Sequence, residues 1–210
     1  MGKCVIFCAA GFDGLLEPLG QEDFVIAADG GLAHTNALGI RPDAILGDFD
    51  SLGYVPADSR VFPVEKDDTD MMLAIRLGLE RGYREFWLYG AMDGPRLDHT
   101  VANFQSLGYL CEHGAYGYLI GKDYIVTCLK EGKLSFCADA KGIFSMFCQG
   151  ETARGVTLTG LHYPLTDGAL SPHFPLGVSN HFTGQAATVE VKEGTLLCMW
   201  DRENGICVRE

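Results

Sequence analysis

Basic side chains are scarce in this 210-residue sequence: 16 Lys and Arg stand against 28 Asp and Glu, a formal net charge of −12 with a pI of about 4.8. That balance argues against a nucleic-acid surface and against an anionic membrane. A phosphate-bearing ligand would therefore have to arrive with a metal ion. No apolar run approaches the roughly 18 residues of a membrane helix, and the start Met1-Gly2-Lys3-Cys4 has too short an apolar stretch for a signal peptide. The eight cysteines include no C-x-x-C pair and sit mostly inside apolar runs, so they read as small core residues in a reducing cytoplasm. The six histidines show no zinc spacing. Repeats and low-complexity tracts are absent too. What remains is a soluble, cytoplasmic protein of one large or two small domains, with 47% apolar residues to build a core.

Acidic residues are plentiful and unevenly spread. Residues 1–112 hold 18 Asp and Glu against 8 Lys and Arg, a net of −10, while residues 113–210 hold 10 against 8, a net of −2. The first half alternates apolar runs (Cys4–Ala9, Phe24–Ala28, Ala44–Leu46, Val61–Val64, Phe86–Tyr89) with helical patterns. Met71, Ala74, Ile75, Gly78 and Leu79 recur at helical spacing and predict a helix over Thr69–Arg81, capped by Asp68 or Thr69. A second helix is expected from about His99 to Cys111 with Asp98 at its N-cap. Strands alternating with helices predict a mostly parallel, Rossmann-like sheet whose ligand crevice lies at the carboxyl ends of the strands. After residue 114 the texture changes to short β-rich runs separated by Gly, Asp, Lys and Asn, as in an antiparallel β-sandwich or barrel. The boundary is expected near 112–118, dividing an α/β domain over 1–114 from a β-sandwich domain over 115–210. Leu161–Gly184, rich in Pro, Gly and His, reads as a long binding loop.

Four acidic blocks, three of them bearing glycine, fall at the expected strand ends: Ala28-Asp29-Gly30-Gly31, Gly47-Asp48-Phe49-Asp50-Ser51, Lys66-Asp67-Asp68-Thr69-Asp70 and Gly94-Pro95-Arg96-Leu97-Asp98-His99. Carboxylates gathered this way repel one another unless a cation holds them. Asp48 and Asp50, two apart in extended backbone, point to one side, and Asp70 in the first turn of its helix can complete a set of hard oxygen ligands for Mg²⁺. Asp29-Gly30-Gly31 puts flexible backbone before a helix, where N–H groups can approach an anion. Lys66 and Arg96, the basic residues within these blocks, suit a polyphosphate as point charge and fork. Taken singly, each block is also an ordinary turn or helix start; four together at strand ends point to chemistry.

In this order and spacing the four blocks resemble the thiamine pyrophosphokinase (thiamine diphosphokinase) family. Gly160-Leu161-His162-Tyr163-Pro164-Leu165 and Gly177-Val178-Ser179-Asn180-His181-Phe182 resemble that family's C-terminal blocks. The resemblance implies a homodimer that moves a pyrophosphoryl group from ATP to thiamine, giving thiamine diphosphate and AMP. It implies Mg²⁺ at Asp48, Asp50 and Asp70, and ATP contacts from Asp29, Gly30, Lys66, Arg96 and Asn103. Asp70, Arg96 and Asp98 would serve catalysis, with Asp98 near the reacting hydroxyl. Thiamine would lie at the subunit interface, with polar contacts from Ser179 and Asn180 and a ring face from Phe182. Gly94-Pro95-Arg96 stands where many members carry Gly-Gly-Arg, so this loop is stiffer and lacks one N–H. The rival expectations are a diphosphokinase for another alcohol, such as a hydroxymethylpterin, and a non-catalytic thiamine or nucleotide binding module.

Overall fold

The computed structural model describes residues 2–47, 60–61 and 68–210; side chains at 60 and 61 are not described. Asp48, Asp50, Lys66 and Asp67 lie outside the described residues. The chain is mixed α/β and divides into two compact units, Met1–Lys122 and Asp123–Glu210.

In the first unit, β1 (Cys4–Phe7), β2 (Phe24–Ala28), β3 (Ala44–Gly47), β4 (Arg60–Val61), β5 (Glu85–Tyr89) and β6 (Tyr116–Ile120) lie in the order β6-β5-β1-β2-β3-β4. Every neighbouring pair is parallel. β1 and β2 are buried along their whole length, which is why they read as unbroken apolar runs rather than alternating ones. Among the described residues three helices connect the strands: α1 (Gly31–Ala37), α2 (Asp70–Glu80) and α3 (Leu97–Glu112). Thr69 caps α2, its hydroxyl accepting from the Met72 N–H at 3.2 Å. Met71, Ala74, Ile75 and Gly78 turn inward. Gly78 is needed there, since a Cβ on it would fall 2.5 Å from the Phe86 ring and 2.8 Å from the Cys4 sulfur. The N-cap of α3 is Arg96 in extended backbone, with no side-chain cap bond, and Asp98 lies inside the first turn. The expected Asp98 cap is thus corrected: the helix begins earlier, and the carboxylate complements its dipole from within.

Tyr116–Ile120, expected in the second domain, pairs in parallel with β5, so the first unit closes at Lys122 rather than at 114. Its sequence is β-rich in either setting. Only the partner strand decides where it belongs.

The second unit is antiparallel. β11 (Ala187–Asp201) pairs on one side with β7 (Tyr124–Phe136) and on the other with β8 (Ile143–Thr159). β9 (Leu165–Leu170) and β10 (Asn180–His181) pair with β8, and β12 (Val208–Arg209) pairs with β7. The expected short β-rich runs are in large part joined into the three long strands β7, β8 and β11. The polar, glycine-bearing stretches that read as turns are irregularities inside continuous strands: Glu131 at φ 44°, Gly150 at φ 81°, and Gly194 at φ 90° where the β11 register shifts. The expected loop over Leu161–Gly184 likewise contains β9, β10 and a bridge between Leu161 and Phe182. The core here is aromatic: Phe136 meets Phe144, Phe182 and Trp200 at centroid distances of 5.8, 5.0 and 5.2 Å. Of the cysteines, Cys4, Cys128, Cys198 and Cys207 are buried, and Cys137 is exposed.

Gly31 brings α1 close against the sheet, because a Cβ on it would fall 1.9 Å from the Phe7 carbonyl oxygen. Gly31→Ala is expected to cost roughly 1–3 kcal/mol or more through overpacking against backbone. A lowered urea midpoint would report it. At Gly14, where a Cβ meets nothing within 4 Å, alanine should cost only the strain of its φ of 81°.

Candidate active site

Strand order turns at β1: the chain runs outward through β2, β3 and β4, then returns to place β5 and β6 on the other side. The connections after β1 and β5 leave in opposite directions, which opens a crevice at their carboxyl ends. A cavity of about 510 Å³ lies there, lined among others by Cys8, Asp29, Asp70, Gly90, Arg96 and Asn103. Its floor is backbone: Cys8 N–H donates to Tyr89 O at 2.9 Å and Ala10 N–H to Gly90 O at 2.8 Å. Gly90, at φ 61°, would set a Cβ 2.2 Å from the Cys8 carbonyl oxygen, so no larger residue fits there.

Each wall residue is held by its element. Asp29 follows β2 with φ 47°, its N–H donating to Leu46 O at 2.8 Å. Gly47 lies against it, for a Cβ there would be 3.0 Å from the Asp29 Cα. Asp70 opens α2. Asp29 and Asp70 both act on one atom: desolvation first, then the Asp70 and Asp29 carboxylates, push the Cys8 thiol up to about 12. The two carboxylates thus share one small region, and Cys8 remains a neutral thiol. Asp68, also on the wall, pairs with Arg76 at 3.2 Å. Asn103 is buried and donates to Ala91 O at 2.7 Å, tying α3 to the turn after β5. Gly30 is the N-cap of α1 beside Asp29 and does not line the cavity. In the Asp29-Gly30-Gly31 block the second glycine serves close packing, and the N–H groups of Leu32 and Ala33 already donate to Asp29 O and Gly30 O.

Arg96 and Asp98 grip each other: Nε donates to Oδ1 at 3.0 Å and Nη2 to Oδ2 at 2.6 Å. This hydrogen-bonded fork, more than any other influence, holds the Asp98 carboxyl at about 2. A carboxylate titrating lower when folded favours the folded state above its ordinary 3.8, and that contribution fades as pH falls toward about 2. Both groups are exposed, so salt weakens it.

In the second unit the three expected thiamine contacts play different parts. Asn180 is buried, and its side chain is committed to backbone: Oδ1 accepts from Tyr163 N–H and His181 N–H, both at 2.9 Å, and Nδ2 donates to Tyr163 O at 2.8 Å. Phe182 is 9% exposed and packs on Phe136 and Phe144, so little of its ring is open to a ligand. Ser179 is exposed at φ 59°, its N–H donating to the Ser145 hydroxyl. Beside them is a small cavity of about 140 Å³, largely apolar, with Met146, Tyr163 and Val178 in its wall.

Sequence reasoning missed Cys8–Ala10 and Gly90–Ala91, which form the floor, and His99 and Thr100 on the wall. The runs Cys8-Ala9-Ala10-Gly11 and Gly90-Ala91 were the available signal, since small residues just past a strand let backbone approach a ligand.

Residues 17–116 match the family model of the thiamin pyrophosphokinase catalytic domain, and residues 134–196 match that of the thiamin pyrophosphokinase vitamin B1 binding domain. The chain belongs to the thiamin pyrophosphokinase family. The thiamine pyrophosphokinase of Bacillus subtilis (strain 168) is 29% identical over 182 residues, covering 82% of this chain and 84% of that protein. The crystal structure of a B. subtilis thiamine pyrophosphokinase superposes with a TM-score of 0.80 at 26% identity, over 95% of this chain and 98% of that one. That of the Geobacillus thermodenitrificans enzyme gives 0.76 at 27% identity, over 98% and 100%. The two family models fall within the two units, the first model inside 1–122 and the second inside 123–210.

Two measurements check this geometry. Carbon-13 titration should place the Asp98 carboxyl midpoint at about 2, and Arg96→Gln should return it toward 3.8. Asn180→Ala should cost roughly 1–3 kcal/mol in thermal unfolding, because it strips partners from the backbone of a buried clasp.

Proposed function

We propose that this chain is a thiamine diphosphokinase that transfers the pyrophosphoryl group of ATP to the primary hydroxyl of thiamine, giving thiamine diphosphate and AMP. The observation that carries the reading is a cavity at the turn of strand order that gathers Asp29, Asp70 and Arg96. It lies in a chain that matches both the catalytic and the vitamin B1 binding models. The second match disfavours a pterin alcohol as acceptor, and the catalytic match disfavours a binding module without chemistry.

In this reading the first unit is a Rossmann-like catalytic domain and the second a β-sandwich that supplies thiamine contacts. Asp29, Arg96 and Asn103, on the cavity wall, face ATP together with Lys66, while Gly30 caps α1 behind Asp29. Asp48, Asp50 and Asp70 would hold Mg²⁺, which supplies charge neutralisation on phosphate oxygens when bound. The chemistry of the described part of the site suits such an ion, since Asp29 and Asp70 bring hard oxygen donors to the wall of one cavity. The thiamine oxygen attacks the β-phosphorus, the bond from that phosphorus to the α,β-bridging oxygen breaks, and AMP leaves with the electron pair. The hydroxyl proton passes to water. Asp98 orients the hydroxyl rather than abstracting its proton, because an exposed carboxylate is a weak base at neutral pH. Positioning and charge stabilisation supply most of the acceleration. A homodimer with thiamine at the subunit interface and a cytoplasmic location belong to the same proposal; among the described residues no helix is long and apolar enough to cross a membrane.

The decisive experiment incubates purified protein with thiamine, ATP and Mg²⁺ and identifies both products by mass. Thiamine diphosphate with AMP is expected, and Asp70→Asn should lower turnover by about 10²-fold or more if it stabilises charge at the reacting phosphates. Thiamine monophosphate with ADP would place attack at the γ-phosphorus and overturn the mechanism.

A further inference from the structure

Arg96 has two duties in the reading above, and its geometry serves only one of them at a time. It lies on the cavity wall with Gly94 and Pro95, where nucleotide phosphates would be held, yet its guanidinium is spent on Asp98, which stands off the wall. Asp98 is in the same position. The oxygen lone pairs that face Arg96 are occupied, and the His99 backbone N–H bonds the same carboxylate.

We propose that Arg96 and Asp98 exchange partners in the catalytic cycle: nucleotide phosphate takes the Arg96 guanidinium from Asp98, and the released carboxylate then accepts the hydrogen bond of the incoming thiamine hydroxyl. Nucleotide binding thereby prepares the acceptor site. The inference rests on the diphosphokinase reading and assigns Arg96 as the residue through which one substrate positions the group that receives the other.

Three features of the pair suit exchange. The side chains are 65% and 62% exposed, and an ion pair in that setting is weak and easily replaced. A phosphate group offers the same fork geometry with more negative charge, so it outcompetes a single carboxylate. Finally, the partners differ in freedom: Asp98 is fixed in the first turn of α3, whereas Arg96 stands before it in extended backbone. The guanidinium can swing while the carboxylate stays in the first turn of α3. Once alone, the carboxylate remains ionised beside the positive end of the helix dipole and keeps the His99 N–H.

Coupling of this kind is reciprocal and measurable. Thiamine and α,β-methylene-ATP dissociation constants are measured on the full chain with Mg²⁺, each alone and in the presence of the other. In the wild type each ligand should tighten the other by the same factor, about 5-fold or more. In Asp98→Asn the factor should fall to within about 2-fold of unity. In Arg96→Met, where the carboxylate is already released, thiamine should bind without nucleotide as tightly as it binds the wild type with it. A merely structural role for the pair would weaken both ligands and leave the coupling intact. A second reading needs no variant: the Asp98 carboxyl midpoint should rise from about 2 when the analogue alone is added. An unmoved midpoint, or coupling that survives in Asp98→Asn, overturns the exchange. Failure of the wild type to make thiamine diphosphate would remove the reading beneath it, whereas turnover without coupling would remove the exchange alone.

Discussion

Everything at the candidate site depends on how closely backbone approaches backbone at the carboxyl ends of β1 and β5. Gly31 lets α1 rest on the Phe7 carbonyl, and Gly90 lets the turn after β5 rest on that of Cys8. A methyl group at either place would collide with main chain, which cannot shift without breaking the Cys8–Tyr89 and Ala10–Gly90 hydrogen bonds. Because both contacts hold, the two strands end level, and the loops that follow them diverge to leave a cavity floored by small residues. The acidic side chains then need only stand at its rim. Asp29 is aimed by a backbone bond to Leu46 and Asp70 by the start of α2.

Much of this arrangement was legible in the sequence, because period and punctuation are local. Phe24–Ala28 and Phe86–Tyr89 stand out as buried parallel strands, and the stripe from Met71 to Leu79 marks α2 nearly to the residue. Of the acidic blocks, Asp29, Asp70 and Arg96 reach one crevice, because parallel strands joined by helices present their carboxyl ends on one edge. What was not legible depends on partners distant in sequence. Tyr116–Ile120 carries no mark that distinguishes a sixth parallel strand from the first strand of an antiparallel unit. Lys192-Glu193-Gly194 looks like a turn, and only pairing with strands on both sides makes it a bulge in β11.

The second unit shows the same limit at the level of single side chains. Motif resemblance singles out Ser179, Asn180 and Phe182 without distinguishing a group that touches a ligand from one that holds up the group that does. Asn180 spends its amide on the backbone of Tyr163 and His181, and Phe182 is part of the aromatic core. Both residues fix the shape of the segment that carries Tyr163, whose ring stays exposed beside a small apolar cavity. A buried amide with its bonds satisfied makes a precise brace because breaking it leaves polar backbone groups unpaired.

Charge decides how the first unit can bind a nucleotide. Residues 1–112 carry a net charge of −10, and a polyphosphate adds more negative charge to the same region. Arg76 is engaged by Asp68 and Arg96 by Asp98, so two cations near the cavity are already neutralised within the protein. Of these, Arg96 is the one on the cavity wall, and its pair is solvated enough to open. Among the described residues, then, an anion in the cavity competes with Asp98 for the Arg96 guanidinium.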